Sequence, residues 1–274
     1  MVAIGVQRVH AEKALAGKRE SCDDVVAVEE PLEIRVLCDG EEGLGRVIAV
    51  TMRTPGHDTE LALGFLHGEG LLRDWRSVCR VRPAGPTGNV LRVELQRGVD
   101  LDLARLQRNF YTTSSCGVCG KASIEAVTSS VLVRRMEPDW TIEGRLLLGL
   151  PARLREAQAA FSATGGLHAV GLFTREGDLV AAFEDVGRHN AMDKLVGARL
   201  VADALPMANS IVLLSGRASF ELVQKAGAAG VPLLAAIGAP SSLAIELAEQ
   251  AGITLVAFLR DGAFNIYAHG ARLR

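Results

Sequence analysis

At 274 residues the chain can bury a full core in one large domain or two modest ones, and 49% hydrophobic against 23% charged residues is the balance of a globular protein. Thirty Lys plus Arg against 32 Asp plus Glu leave a net charge of −2, so no global basic field holds nucleic acid or anionic lipid, and an anionic ligand needs a local site. Eight Phe, two Tyr and two Trp are too few for a platform on which single-stranded bases stack.

The first ten residues lack the basic start and apolar stretch of a secretory signal. No apolar run reaches the roughly 20 residues needed to span a bilayer. The expectation is a cytoplasmic protein with reduced thiols and no nucleic-acid or membrane partner. Cys22, Cys38 and Cys79 stand alone and read as structural thiols, whereas Cys116 and Cys119 form a pair.

Residues 1–30 are polar with mixed charge and read as a flexible lead-in. Residues 31–110 read as a small α+β subdomain. Leu32, Ile34 and Val36 alternate with polar residues, a turn-rich stretch follows, and residues 46–52 form the returning strand. Thr54-Pro55-Gly56 breaks the chain before a helix that starts at Asp58, and two short strands over 78–82 and 90–95 complete the unit.

Residues 111–140 hold the sharpest local feature, Thr112-Thr113-Ser114-Ser115-Cys116-Gly117-Val118-Cys119-Gly120-Lys121, followed by a helical pattern with Ile124, Val127 and Val131 on one face. Both cysteines would lie on a glycine-softened loop before a helix N-terminus, where the partial positive charge and nearby Lys121 favour the thiolate. One CxxC fits three chemistries. Zinc needs two further ligands and the chain has no second CxxC, a thioredoxin-like pair follows a strand directly, and a thiolate can also attack and hold a persulfide sulfur.

Residues 141–274 read as a larger domain. Gly165-Gly166 ends a helix with the stripe Leu147, Leu150, Leu154, Ala157 and Phe161, and strands over 167–174 and 179–183 flank a turn. Continuously apolar strands over 211–214, 233–237 and 253–259 then alternate with helices, as in a parallel sheet covered by helices. Ligands of such sheets bind beyond the carboxyl ends of the strands. The loops there are 215–217, 238–242 and 260–262, rich in Gly and Ser and carrying Arg217 and Arg260, side chains suited to phosphate. The run Glu184-Asp185-Val186-Gly187-Arg188-His189-Asn190-Ala191-Met192-Asp193-Lys194 joins a strand to a helix. Its plain reading is a helix capped by Asp185 with a solvated charged face, and His168 reads as a satisfied core histidine. The residue two beyond His189 is Ala191, where a zinc deaminase would need its catalytic Glu.

Together, Thr54-Pro55-Gly56 with residues 60–66, Ser115 to Gly120, Glu184 to Lys194, Ser215 to Glu221 and residues 258–267 resemble the formate dehydrogenase accessory sulfurtransferase (FdhD) family, in order, over residues 31–273. The resemblance implies an α/β (α+β overall) fold: a cytidine-deaminase-like core with a helix-covered mixed sheet, lacking the deaminase metal site, plus the smaller N-terminal subdomain, assembled as a homodimer. It implies a sulfurtransferase in which a cysteine desulfurase loads sulfur as a persulfide on Cys116. Cys116 passes it to the molybdenum bis(molybdopterin guanine dinucleotide) cofactor of formate dehydrogenase, with Cys119 assisting or resolving. The family's cofactor-contacting segment maps onto Phe258, Leu259, Arg260, Asp261, Gly262 and Ala263, where GDP or GMP would mimic the cofactor. Asp185, Arg188, His189, Ser215 and Arg217 are further pocket candidates. Ala263 and His57 depart from the basic and acidic residues common in the family. Two rivals remain, a cofactor-binding chaperone without a reactive thiol and a zinc-dependent deaminase.

Overall fold

The computed structural model describes residues 5–38, 43–99 and 139–274, which form a two-stranded ribbon, a four-stranded sheet and a six-stranded sheet. The segment read as a flexible lead-in is instead a hairpin. Strand β1 (Val6–Leu15) pairs antiparallel with β2 (Lys18–Ala27) along its whole length, across the two-residue turn Ala16-Gly17. Both turn residues have positive φ, 43° and 87°, the backbone twist that suits a tight hairpin. Polar cross-strand contacts such as Ser21 Oγ to His10 Nε2 at 2.8 Å take the place of the apolar alternation that announces most strands.

The four-stranded sheet runs β4-β3-β6-β5. The expected hairpin is β3 (Glu30–Leu37) with β4 (Arg46–Arg53). Strand β6 (Val90–Leu95) lies parallel to β3, and β5 (Val78–Ala84) lies antiparallel to β6. Helix α1 (Asp58–Gly68) covers one face, so Leu32, Ile34, Val36 and Val93 share a core with Leu61, Leu63 and Leu66. It starts at Asp58 as its acidic first turn predicts. His57, just before it, is left-handed (φ 58°) and sets its ring edge-on to Phe183 at a centroid distance of 5.0 Å.

The six-stranded sheet has the order β12-β11-β10-β9-β7-β8. Strands β9 (Ser210–Leu214), β10 (Leu233–Ala236) and β11 (Thr254–Arg260) are parallel, as read from the sequence. Antiparallel β7 (His168–Thr174), β8 (Leu179–Asp185) and β12 (Ala263–Ala268) flank them, so the sheet is mixed. One face packs on α5 (Arg188–Val201), α6 (Phe220–Ala228) and α7 (Ser242–Ala251). The opposite face packs on Leu147, Leu150 and Leu154. These belong to three short helices, α2 (Gly144–Leu147), α3 (Leu150–Glu156) and α4 (Ala159–Thr164), rather than the single helix expected. Pro151 in the first turn of α3 cannot donate back to a preceding turn, and Gln158 leaves helical geometry at ψ 67°. The glycine stop holds: Gly165 ends α4 at φ 67°.

Helix α1 joins the two sheets by lying directly on α5. A Cβ at Gly64 would collide with the Asp193 carbonyl, and one at Gly197 with the Glu60 carbonyl. Two glycines therefore let the helix backbones touch. Among the described residues, no helix is long and apolar enough to cross a membrane.

Candidate functional site at the strand ends

Cys116, Cys119 and the helix expected after them lie outside the described residues. The described part of the site is the rim where β9, β10 and β11 end. Its loops are tied side by side. Gly238 N–H donates to Gly216 O at 3.0 Å, Phe258 N–H donates to Gly238 O at 3.1 Å, and Ala218 bridges Pro240. Gly238 is required there, since a Cβ would stand 2.9 Å from the Gly216 carbonyl carbon and oxygen. The loops at 215–217 and 238–242 thus converge with β11 as the parallel topology predicts.

The third segment, Phe258 to Ala263, is a tight hairpin rather than an open strand-end loop. Arg260 pairs with Ala263, and Asp261 and Gly262 make the turn with φ of 55° and 73°. Phe258 sits in a bulge at φ 53° and packs on the α5–α7 core, while Leu259 is buried on the opposite face. The Arg260 side chain is 61% exposed, and among the described residues its ion-pair partner is Asp261, at 3.9 Å. Its guanidinium is available at the hairpin tip.

The run from Glu184 to Lys194 carries the largest correction. The charged face of α5 is buried, not solvated, and Gly187 rather than Asp185 occupies the cap position. Asp185 lies 2.7 Å from Lys194 Nζ. It also accepts from Thr54 N–H at 3.2 Å, Gly187 N–H at 2.8 Å and Asn190 Nδ2 at 3.0 Å. Lys194 donates to the Thr54 carbonyl at 2.9 Å and the Glu184 carbonyl at 3.3 Å. Thr54 Oγ1 accepts from Val186 N–H at 3.1 Å. Asp185 is therefore no pocket residue; it ties the Thr54-Pro55-Gly56 corner to the start of α5, and charge-assisted bonds offset the cost of burying both ions.

A second buried pair starts at Asp193, the residue before Lys194. Lys225 Nζ donates to both Asp193 oxygens at 2.8 and 3.0 Å. Burial pulls the Lys225 pKa down, but the Asp193 and Glu221 carboxylates outweigh it and the net shift is upward. His189 faces the same region, with Nε2 at 3.3 Å from Ser219 Oγ and 3.4 Å from Glu221.

Beside the rim, a cleft of about 580 Å³ opens between α3, α4 and the ends of β9 and β10, within the range of small-ligand sites. His168 and Ser215 line it. Ala169 N–H donates to Ser215 Oγ at 2.8 Å, leaving the hydroxyl proton free to turn elsewhere. The half-buried His168 ring has its pKa lowered from 6.5, first by burial and then by the Arg188 and Arg217 guanidinium groups, against a smaller opposing effect of Asp185. Its imidazole is thus neutral at pH 7 and belongs to the cleft rather than to the core. Arg217 is exposed, and Arg188 is half-buried with Nε unpartnered among the described residues. Of the pocket candidates, Arg188, Ser215 and Arg217 therefore gather around His168, whereas Asp185 and His189 turn into buried networks.

Sequence reasoning passed over Thr54 as a partner of Asp185, because the contact joins segments 131 residues apart in the chain, and over Lys194, because a lysine on a helix is ordinarily solvated. It also passed over the cleft wall formed by Arg155 and Phe161, whose guanidinium sits 4.2 Å from the ring centroid. Ala191 is fully buried in the α5–α7 core, so the position two beyond His189 is packing and carries no acid–base group.

A family model described as FdhD/NarQ matches residues 27–274. The sulfur carrier protein FdhD of Streptomyces avermitilis is 51% identical over 91% of this chain and 89% of that protein. Its namesake from Mycolicibacterium paratuberculosis is 48% identical over 94% and 95%, and that from Sulfolobus acidocaldarius is 41% identical over 98% of both. The fold is shared with the crystal structure of a candidate formate dehydrogenase accessory protein from Desulfotalea psychrophila, at a TM-score of 0.73 and 23% identity, covering 98% of this chain and 99% of that one. With the family pattern running from the end of β2 through both sheets, the chain belongs to the FdhD/NarQ family.

Proposed function

We propose that the chain is a cytoplasmic sulfur carrier that serves formate dehydrogenase, working as a homodimer and as a sulfurtransferase from a cysteine desulfurase to the guanylyl molybdenum cofactor. The observation that carries this reading is the 51% identity, over 91% of the chain, to a protein named a sulfur carrier.

In this reading the Cys116 thiolate attacks the outer sulfur of the desulfurase's cysteine persulfide. The S–S bond of the donor breaks, the donor cysteine leaves as a thiolate, and Cys116 holds the transferable sulfur. The molybdenum cofactor is the substrate that receives it, and Cys119 assists or resolves. The cofactor's phosphates lie on the rim, within reach of the exposed Arg260 guanidinium at the hairpin tip and the backbone of Asp261 and Gly262. Ala263 offers only backbone there. GDP or GMP would occupy the same place. Arg188 and Arg217 add positive charge beside His168.

The test is a strain whose sole copy of the gene encodes Cys116→Ala. Formate dehydrogenase activity is expected to vanish while the enzyme's polypeptide still accumulates. Full activity would refute the role of Cys116, and an equal loss in Cys119→Ala would show that the pair acts as a unit.

A further inference from the structure

The β1–β2 ribbon stands apart from the body of the protein. Among the described residues it pairs with no third strand and contributes nothing to the three apolar cores. The family pattern begins only at residue 27, where β2 ends. The base of the ribbon is fixed: Val28 N–H donates to Gly5 O at 2.9 Å, and Ala27 lies where a Cβ on Gly166 would meet it at 3.6 Å. Beyond the base, its main described neighbour is the short helix α4. A two-stranded hairpin alone is marginal in water and needs further strands or a packed apolar face.

Residues paired across the strands share a face, so the register divides the ribbon into two sides. One side is polar beyond its base, with His10 against Asp23 and Ser21, and Arg19 at 3.5 Å from Glu12. The other carries Val9, Ala11, Leu15, Cys22 and Val26. Leu15 at the tip and Val26 near the base are 48% and 39% exposed.

We propose that this second side packs end over end on the same side of a second copy, which makes the ribbon part of the homodimer contact. The inference rests on the homodimer reading above. Two observations select a copy of the chain as the occupant. The charges on this side, Lys13 and Lys18 against Glu20 and Asp24, sum to zero, so it gives a strongly charged partner no complement and meets itself without net repulsion. Ala11 and Cys22 form the middle one of its five cross-strand pairs, and a two-fold contact sets the same patch of both subunits about the axis. Turned end over end about that pair, Leu15 of each copy lies over the Gln7–Val26 pair of the other, and both exposed apolar side chains are covered. Strands of ten residues are about 34 Å long, and one side of the ribbon covers roughly 300 Å² per copy. A stable interface takes about 800 Å² per partner. The ribbon is therefore one part of the contact, and its loss loosens the dimer without abolishing it.

The test is sedimentation of the full chain and of its Leu15→Glu/Val26→Glu variant, with peptide mapping of both after treatment with a short bismaleimide. Both positions are exposed, so the variant should melt as the parent does. Its dimer dissociation constant is expected to rise about tenfold, the scale of uncovering an apolar side chain on each copy. The parent should yield a peptide linked through Cys22 of both copies, because those thiols flank the axis. A variant that dimerises as tightly as the parent, or linked dimers that never involve Cys22, would overturn the ribbon assignment and leave the homodimer reading standing. A parent chain that sediments as a monomer at every concentration would remove the homodimer reading, and the ribbon assignment with it.

Discussion

The Asp185 carboxylate and the Lys194 ammonium lie 2.7 Å apart with side chains 0% and 2% exposed, and Thr54 closes the pair by giving its N–H to one and its carbonyl to the other. Two segments more than 130 residues apart in the chain therefore meet in one buried knot, at the point where β8 hands over to α5. Removing one ion leaves the other buried and uncompensated. Asp185→Ala is expected to lower unfolding free energy by about 3–5 kcal/mol in urea titrations. The double variant Asp185→Asn/Lys194→Met should recover most of that loss, and additive losses in the double variant would show that the two groups act separately.

The contact between α1 and α5 makes a second prediction. Because Gly64 and Gly197 face the opposite helix's carbonyls with no room for a Cβ, Gly64→Ala or Gly197→Ala must push the helices apart. Each is expected to cost about 2–3 kcal/mol by overpacking, outweighing the gain in helix propensity that alanine normally brings. Thermal melts that match the parent would contradict this crossing geometry.

A third prediction concerns pH. His168 has a folded pKa below its ordinary 6.5, through burial and then Arg188 and Arg217. The folded state therefore binds fewer protons at this site than the unfolded chain. The site's contribution to stability is fully present above pH 6.5 and is lost as pH falls through the folded pKa. In His168→Gln, the decline of stability on the acid side of pH 6.5 should become shallower. A ring resonance of His168 titrating above 6.5 in NMR would contradict the environment described for the cleft.

Much of this architecture was legible in the residues. The three parallel strands, the start of α1 at Asp58 and the stop at Gly165 each follow from local rules that the structure obeys. The charged face of α5 was not legible, because Asp193 and Lys194 belong to residue types that normally stay in water. Their partners, Lys225 and Thr54, arrive only through tertiary packing. The β11–β12 hairpin was available in principle, since Asp261-Gly262 is a strong turn signal. The half-exposed β12 lacks the clean alternation that would have confirmed it. Cys116 and Cys119, the centre of the chemical reading, rest on sequence and family alone.

Arg260 separates site from scaffold. It is exposed at the hairpin tip, so Arg260→Ala should leave the melting temperature unchanged while weakening GDP binding roughly tenfold, the worth of a charge-assisted contact to phosphate. Unchanged GDP affinity would remove the β11–β12 turn from the cofactor site.

The most direct measurement is intact-mass analysis of the purified chain after incubation with cysteine and a cysteine desulfurase. The parent chain should gain one sulfur atom that a thiol reductant removes, and Cys116→Ala should gain none. A parent chain that stays unmodified under conditions where the desulfurase turns over, or a Cys116→Ala chain that still gains the atom, would contradict sulfur carriage at Cys116.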